Sequence, residues 1–128
     1  MICLGLHERK ALEAELSDGF IALPCGIGTL EETFEIWTWA QLGHQVKPCA
    51  LFNVEGFCDG FCTFPNTVSK EGFLRDEHRN TLISENDPKA LLAMMAAYIA
   101  PPIGRKWIDR TPQRSQLAGP KSLCLEKL

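Results

Sequence analysis

The sequence predicts an α/β fold in which helices and short strands alternate around a parallel sheet. Helical patterns and short apolar runs follow one another along the first hundred residues. Such alternation is typical of parallel sheets, because each connection between parallel strands is normally a crossover helix. A second observation is a glycine-bearing turn at residues 24–28, which joins a strand to a helix. Because the pattern starts on a helix, we expect a doubly wound parallel sheet that lacks its first βαβ portion.

Seven elements are predicted: helices at residues 7–17, 29–42, 61–71 and 88–99, and strands at residues 20–23, 49–53 and 81–84. The first helix consists of strong helix formers, with Leu12 and Leu16 four positions apart on one face. Ser17, Asp18 and Gly19 end this helix. The apolar run that follows is short enough to be a buried strand.

The start of the second helix allows two interpretations. Thr29 and Glu32 have the spacing of a capping box, with Thr29 as the N-cap and Glu32 bonding back to its N–H. Glu32 also lies on the same side as Ile36 and Trp39, so a chemical role for its carboxylate stays open. The face expected to pack on the core holds Leu30, Phe34, Trp37 and Ala40.

Glycine and proline mark the ends of the other elements. Gly43 stands where a left-handed residue would end the second helix. Pro65 is expected in the first turn of the third helix, where its missing N–H costs little, and Gly72 ends that helix. Asp87 followed by Pro88 is typical of an N-cap and a first helical position.

The length, charge and cysteine content exclude several classes of protein. The 128 residues suit one domain, predicted at residues 1–103, followed by a polar, flexible tail at residues 104–128. The net charge of −3 argues against a nucleic-acid surface. No apolar run approaches the roughly 20 residues of a membrane span. Residues 1–6 lack the basic start of a signal peptide.

The six cysteines form no CxxC pair and no zinc-binding set. We therefore expect buried free thiols, no metal, no cofactor and a cytoplasmic location. His44 and His78 are expected at the surface.

The glycine-bearing turn is the candidate binding site. A helix that begins after such a turn presents free backbone N–H groups and the positive end of its dipole. Gly26 and Gly28 carry no Cβ and allow an anion to approach the backbone closely. The spacing matches neither the Walker pattern nor the dinucleotide fingerprint. A phosphate could therefore bind here without a cationic side chain.

Two motifs carry a resemblance to a known family. The run PCGIGTLEE at residues 24–32 and the run LHERK at residues 6–10 resemble the signatures of the Lonely Guy family of cytokinin riboside 5′-monophosphate phosphoribohydrolases, also called lysine decarboxylase-like. The run GFCDG at residues 56–60 is similar too, although tyrosine is expected at position 58. The likeness extends over roughly residues 6–100.

The resemblance implies a Rossmann-like fold, a homodimer and hydrolysis of the N-glycosidic bond of a nucleoside 5′-monophosphate. The substrate would be a cytokinin riboside monophosphate or AMP, and the products a free base and ribose 5-phosphate. Arg9 and Glu32 are the implied catalytic pair. The implied substrate-binding residues are Lys10, Gly26, Ile27, Gly28 and Thr29.

The chemistry of these residue types agrees with that implied reaction. Breaking a C1′–N bond builds positive charge on the ribose, which the Glu32 carboxylate can stabilise while it orients a water molecule. The Arg9 guanidinium can grip phosphate or ribose oxygens, or hold the carboxylate. Decarboxylation with pyridoxal phosphate would need a Schiff-base lysine, and nothing marks one.

Several alternatives stay open at this level. A non-catalytic nucleotide or phosphate binder, or an inactive truncated member of the family, would show the same turn. Cys25 stands where the family has glycine, and a positive φ there would cost roughly 1–2 kcal/mol. The expected dimer face is on the helices that follow the turn, with Ile36 and Trp39 exposed.

Overall fold

The computed structural model describes residues 5–102, so the tail predicted at residues 104–128 lies outside the described part. The helices are α1 (Leu6–Leu16), α2 (Ile27–Leu42), α3 (Asp59–Lys70), α4 (Asp76–Arg79) and α5 (Pro88–Ala96), with a short 3-10 turn at Val54–Gly56. The strands are β1 (Phe20–Ala22), β2 (Cys49–Phe52) and β3 (Leu82–Glu85).

The three strands form one parallel sheet in the order β1-β2-β3. Phe20 lies opposite Cys49, and Cys49 lies opposite Leu82 on the other side. The predicted α/β fold with a parallel sheet is thereby confirmed. Because parallel strands end at the same edge, the turn after β1 and the loop after β2 are neighbours there.

The core is built on both faces of the central strand β2. Ala50 and Leu51 are almost completely buried and point to opposite faces, as successive strand residues do. Trp37, expected in the core, packs on the Leu51 side. Its indole Nε1 donates to the Thr81 hydroxyl at 3.0 Å and to the His78 carbonyl at 3.2 Å.

The start of α2 differs from the prediction. The helix begins at Ile27, with Gly26 as its N-cap and no side-chain cap there. Thr29 is therefore already helical, and its carbonyl accepts a hydrogen bond from the Thr33 hydroxyl at 2.7 Å. The capping-box interpretation is wrong, because the glycine-bearing turn itself enters the helix and leaves Glu32 in the second turn.

The predicted core face of α2 is confirmed for Trp37, is only half-buried at Leu30 and Ala40, and is wrong for Phe34. The buried residues are Thr33, Ile36 and Trp37, whereas Phe34 is 45% exposed. Apolar residues surround most of this helix, so their spacing does not select one side. Phe34 instead contacts Phe61 of α3, with ring centroids 4.9 Å apart. The predicted dimer face fails for Ile36, which is buried, while Trp39 packs against the core.

Two further expectations are corrected in the second half of the fold. Pro65 lies inside α3, beyond the first turn, because that helix begins at Asp59. His78, expected at the surface, is buried. It lies on α4, an element the sequence did not predict, and its carbonyl accepts from both Trp37 and Thr81. These bonds hold the short helix against the core.

The helix ends follow the glycine and N-cap signals. Gly43 has φ +77° and ends α2 in the left-handed conformation. Asp87 caps α5 by accepting a hydrogen bond from the Ala90 N–H at 2.7 Å, although α5 ends at Ala96, earlier than expected. Within residues 5–102, no helix is long and apolar enough to cross a membrane.

We predict that Asp87→Ala lowers the free energy of unfolding by about 1 kcal/mol, because the first turn of α5 loses its side-chain acceptor. Asp87→Asn is the matched control and should stay close to wild type, since an amide oxygen caps a helix equally well. Urea denaturation followed by circular dichroism measures both. Equal losses in the two variants would contradict a role for the cap.

Candidate functional site

A cavity of about 320 Å³ lies between α1, β1 and α2. Lys10 and Glu13 reach its wall from α1, Ile21 from β1, and Thr29 and Glu32 from α2. The fold thus brings the two motifs of the sequence together at one place. The cause is the order of the elements, since α1 leads into β1 and α2 follows β1 and packs on it.

Arg9 and Glu32, the predicted catalytic pair, are in direct contact. The Arg9 Nη2 lies 2.6 Å from the Glu32 Oε1, and the Arg9 Nε lies 3.2 Å from the Glu13 Oε1. Arg9 is 51% exposed, and an ion pair at such a position contributes at most about 1 kcal/mol. This weak attraction alone does not set the geometry of the pair, so other contacts between α1 and α2 must contribute.

Lys10 is buried at the same helix interface. Its Nζ lies 2.6 and 2.7 Å from the two carboxylate oxygens of Glu31 and 2.6 Å from the Glu35 Oε2. The hydrogen bonds that Lys10 donates to Glu31 and, to a smaller extent, to Glu35 raise the pKa of Lys10 above its ordinary value. Glu31 and Glu35 were not predicted from the sequence as partners of Lys10. Their spacing of four residues on α2 was the available signal.

The N-terminus of α2 is open to an incoming group. Gly26 has an extended backbone, and a Cβ built on Gly26 or Gly28 would meet nothing within 4 Å. The protein itself therefore does not require glycine at these positions, and the space beside the turn is free. Ile27, the first helical residue, is 85% exposed. The N–H groups of the first turn can donate to an anion placed here.

Cys25 does not carry the backbone strain that was considered for it. In the described part of the chain, Glu55 is the only residue other than glycine with a positive φ. Cys25 therefore adopts a conformation open to any residue and is half-buried beside the turn. Cysteine in place of the family's glycine costs no left-handed strain.

The run at residues 56–60 forms the loop after β2. Gly56 has φ +76°, and a Cβ there would lie 2.7 Å from the Asp59 Oδ2, so glycine is required. The Asn53 amide donates to the Asp59 Oδ1 at 2.7 Å and accepts from the Cys58 N–H at 2.7 Å. This loop is rigidly joined to the start of α3 on the edge that also bears the glycine turn.

The charges around the cavity do not attract a phosphate by themselves. Two cations, Arg9 and Lys10, are joined by ion pairs to four carboxylates, which leaves a net charge of −2 on the group. The carboxylates are Glu13, Glu31, Glu32 and Glu35. An anion at this site would have to be held chiefly by the N-terminus of α2.

Residues 5–102 contain no group of three or more histidine, cysteine, aspartate or glutamate side chains arranged to hold a metal ion. The cysteines that the structure describes are free thiols at positions 25, 49, 58 and 62. Burial raises the pKa of the Cys49 thiol to about 12, so this group at the cavity wall stays protonated at neutral pH.

The fold and the site together define a Rossmann-like α/β protein with a polar site at the N-terminus of the helix after β1. A family model described as "Possible lysine decarboxylase" matches residues 1–95. The chain belongs to this family, and the resemblance seen in the two motifs is confirmed.

The chain is similar to curated relatives from two plants. It is 44% identical over 109 residues to the cytokinin riboside 5′-monophosphate phosphoribohydrolase LOG of Oryza sativa subsp. japonica. The aligned residues make up 84% of this chain and 45% of that protein. It is 37% identical over 123 residues to the Arabidopsis thaliana protein named LOG1, covering 96% of this chain and 52% of the relative. The chain spans about half the length of these relatives.

We predict that Cys49 resists alkylation in the native chain at pH 8, because its raised pKa leaves almost no thiolate. Cys25 and Cys62, which are only half-buried, should react with iodoacetamide first. Peptide mass spectrometry after timed labelling gives the order. The urea-unfolded chain is the control, in which Cys49 should react as fast as the others.

Proposed function

We propose that the chain catalyses hydrolysis of the N-glycosidic bond of a nucleoside 5′-monophosphate, either a cytokinin riboside monophosphate or AMP. The observation that carries the proposal is the Arg9–Glu32 contact of 2.6 Å beside the cavity and the open N-terminus of α2. The relatives named as phosphoribohydrolases support it. The products are the free base and ribose 5-phosphate.

Glu32 is the catalytic carboxylate in this proposal. The electron pair of the C1′–N bond leaves with the base, and positive charge develops on the ribose ring. A carboxylate beside C1′ stabilises that charge and accepts a proton from the water that attacks C1′. The base takes up a proton as it leaves. Glu32 lines the cavity, which gives its carboxylate access to a bound ribose.

Arg9 holds and orients the Glu32 carboxylate. Its guanidinium is fixed from two sides, by Glu13 at 3.2 Å and by Glu32 at 2.6 Å. A planar guanidinium keeps further N–H groups for ribose or phosphate oxygens after making these contacts. Arg9 is half-exposed, so a substrate can reach those groups.

The phosphate group binds at the N-terminus of α2 in this proposal. Gly26, Ile27, Gly28 and Thr29 supply backbone N–H groups, and the sixteen-residue helix supplies its dipole. The free space at both glycines supports this placement. The negative side chains nearby make the backbone the main source of attraction.

Three further expectations belong to this proposal. The reaction needs no metal or cofactor in this scheme, since a carboxylate, a guanidinium and backbone N–H groups carry it. The homodimer and the cytoplasmic location stay predictions. Exposed Phe34, Phe64 and Phe73 offer apolar surface for a second chain, and free thiols are usual in a reducing compartment.

The alternative is a protein that binds the nucleotide without cleaving it. The observation that favours it is the open N-terminus of α2, whose backbone N–H groups can hold a phosphate whether or not Arg9 and Glu32 act on the ribose. Binding at the α2 N-terminus could persist in this case while turnover is absent. An experiment that measures binding and cleavage separately distinguishes the two functions.

We predict that the chain releases adenine from AMP, or the substituted base from the N6-isopentenyl analogue, and that Glu32→Gln lowers kcat by about 10²–10⁴. The amide keeps the shape of the side chain but removes the charge. Chromatography of the free base measures turnover, and Glu71→Gln, an exposed change on the far end of α3, is the matched control.

Two results would count against the enzyme. Wild-type chain that is folded and binds AMP by calorimetry, yet releases no base, supports the binding alternative. Equal activity in wild type and Glu32→Gln removes the carboxylate from the mechanism even if base is released.

The phosphate site gives a separate prediction at Ile27. Ile27→Glu places a carboxylate at the first position of α2, where it repels a phosphate and should raise KM for AMP about tenfold. The fold should tolerate it, because Ile27 is exposed and a negative charge suits a helix N-terminus. Ile27→Gln is the neutral control. Equal KM values for the two variants would place the phosphate elsewhere.

A further inference from the structure

We propose that Lys10 is a positioning residue, which sets the geometry of Arg9 and Glu32 by fixing α1 on α2 through Glu31 and Glu35. This inference rests on the proposed function, because it concerns how the same site is assembled. The alternative is the role expected from the sequence, in which Lys10 binds the substrate directly. The structure supports the positioning role by burial, by saturation of the ammonium group and by the register of the two helices.

Burial is the first line of support. Lys10 is only 4% exposed and is the one buried side chain of α1. Apolar contacts of this helix are modest: Leu6 and Leu16 are mostly exposed, Leu12 is half-buried, and Ala14 packs against the core. The apolar contact of α1 with the core lies at Ala14, more than one turn away from Arg9. Lys10 provides the contact that lies next to that arginine.

The second line of support is that every hydrogen-bond donor of the Lys10 ammonium group has an acceptor within the protein. A lysine ammonium has three protons to donate. Three carboxylate oxygens, two from Glu31 and one from Glu35, lie within 2.7 Å of the Lys10 Nζ. While both carboxylates are held, no proton remains for a phosphate oxygen. A substrate that used Lys10 would have to displace one of them.

The register of the helices is the third line. Arg9 precedes Lys10 in α1, and Glu32 follows Glu31 in α2, so each ion pair is adjacent to the other along both helices. Neighbouring residues on a helix differ by 100° and 1.5 Å of rise. A fixed contact between Lys10 and Glu31 therefore determines where Arg9 and Glu32 meet. Glu35, one turn further on, prevents α1 from sliding along α2.

Lys47 fixes the opposite end of α1. Its Nζ donates to the carbonyl oxygens of Ala14 and Glu15 in the last turn of that helix. A cation at these carbonyls also suits the negative end of the helix dipole. Lys47 anchors this end against the start of β2, so Lys10 is left to set the end that bears Arg9.

Two variants test the positioning role by separating kcat from KM. Lys10→Met keeps the long apolar stem and removes the charge, and we expect it to lower kcat for base release about 10- to 100-fold with KM changed less than threefold. Glu35→Gln, at a residue that does not line the cavity, should lower kcat in the same direction by a smaller factor. Lys89→Met, exposed on α5, is the control and should match wild type.

If Lys10 binds the substrate directly, the effect should fall on KM rather than on kcat. Lys10→Met would then raise KM tenfold or more with kcat retained, and Glu35→Gln, which frees the ammonium group, would not lower kcat. That result overturns the proposal. If Lys10→Met does not fold, as judged by circular dichroism, the kcat of Glu35→Gln decides alone, since this variant keeps the Lys10–Glu31 contact.

A spectroscopic measurement keeps the inference separate from the proposed function. In wild type, Glu32→Gln should shift the Arg9 Nη2–H resonance in a ¹H–¹⁵N spectrum, because Nη2 loses its carboxylate partner while Nε stays on Glu13. In a Lys10→Met background the same change should leave that resonance where it is. An undiminished shift overturns the positioning role. Absence of base release from wild type would overturn only the proposed function, because this readout needs no turnover.

Discussion

The placement of α1 depends on one constraint: a buried ammonium group must be surrounded by acceptors. Lys10 enters the interface between α1 and α2, and Glu31 and Glu35 meet it there. Because three carboxylate oxygens surround the Lys10 Nζ, the helix occupies a defined register on α2. The exposed Arg9–Glu32 pair then follows from a buried neighbour rather than from its own weak attraction.

The fold could be predicted from the sequence because its signals are local. Alternating helices and short apolar runs, Gly43 after α2 and Asp87 before α5 each act within a few residues, and each is found as expected. The errors arose where tertiary contacts decide. Phe34 packs on Phe61 of α3, and the Trp37 indole bonds the His78 carbonyl of α4. The residues of each pair are more than 25 positions apart, so no local pattern contains these contacts.

Part of the candidate site could also be predicted, because its signals are local. Arg9, Glu32 and the glycine turn belong to compact motifs; the structure brings Arg9 into contact with Glu32, which lines the cavity, whereas Arg9, Gly26, Ile27 and Gly28 are not among its lining residues. Thr29 and Glu32 have the spacing of a capping box, but the helix begins earlier, at Ile27. Glu31 and Glu35 were not recognised, because a carboxylate on a helix surface looks solvated until its partner helix is placed.

The edge strand β1 has a consequence for the behaviour of the chain in solution. Within the described residues β1 pairs only with β2, and its middle residue, Ile21, is 40% exposed. The outer backbone groups of such a strand can template the addition of a strand from another polypeptide. This edge and the outer edge of β3, which in the described residues also pairs on one side only, are where self-assembly into extended sheets would start at high concentration.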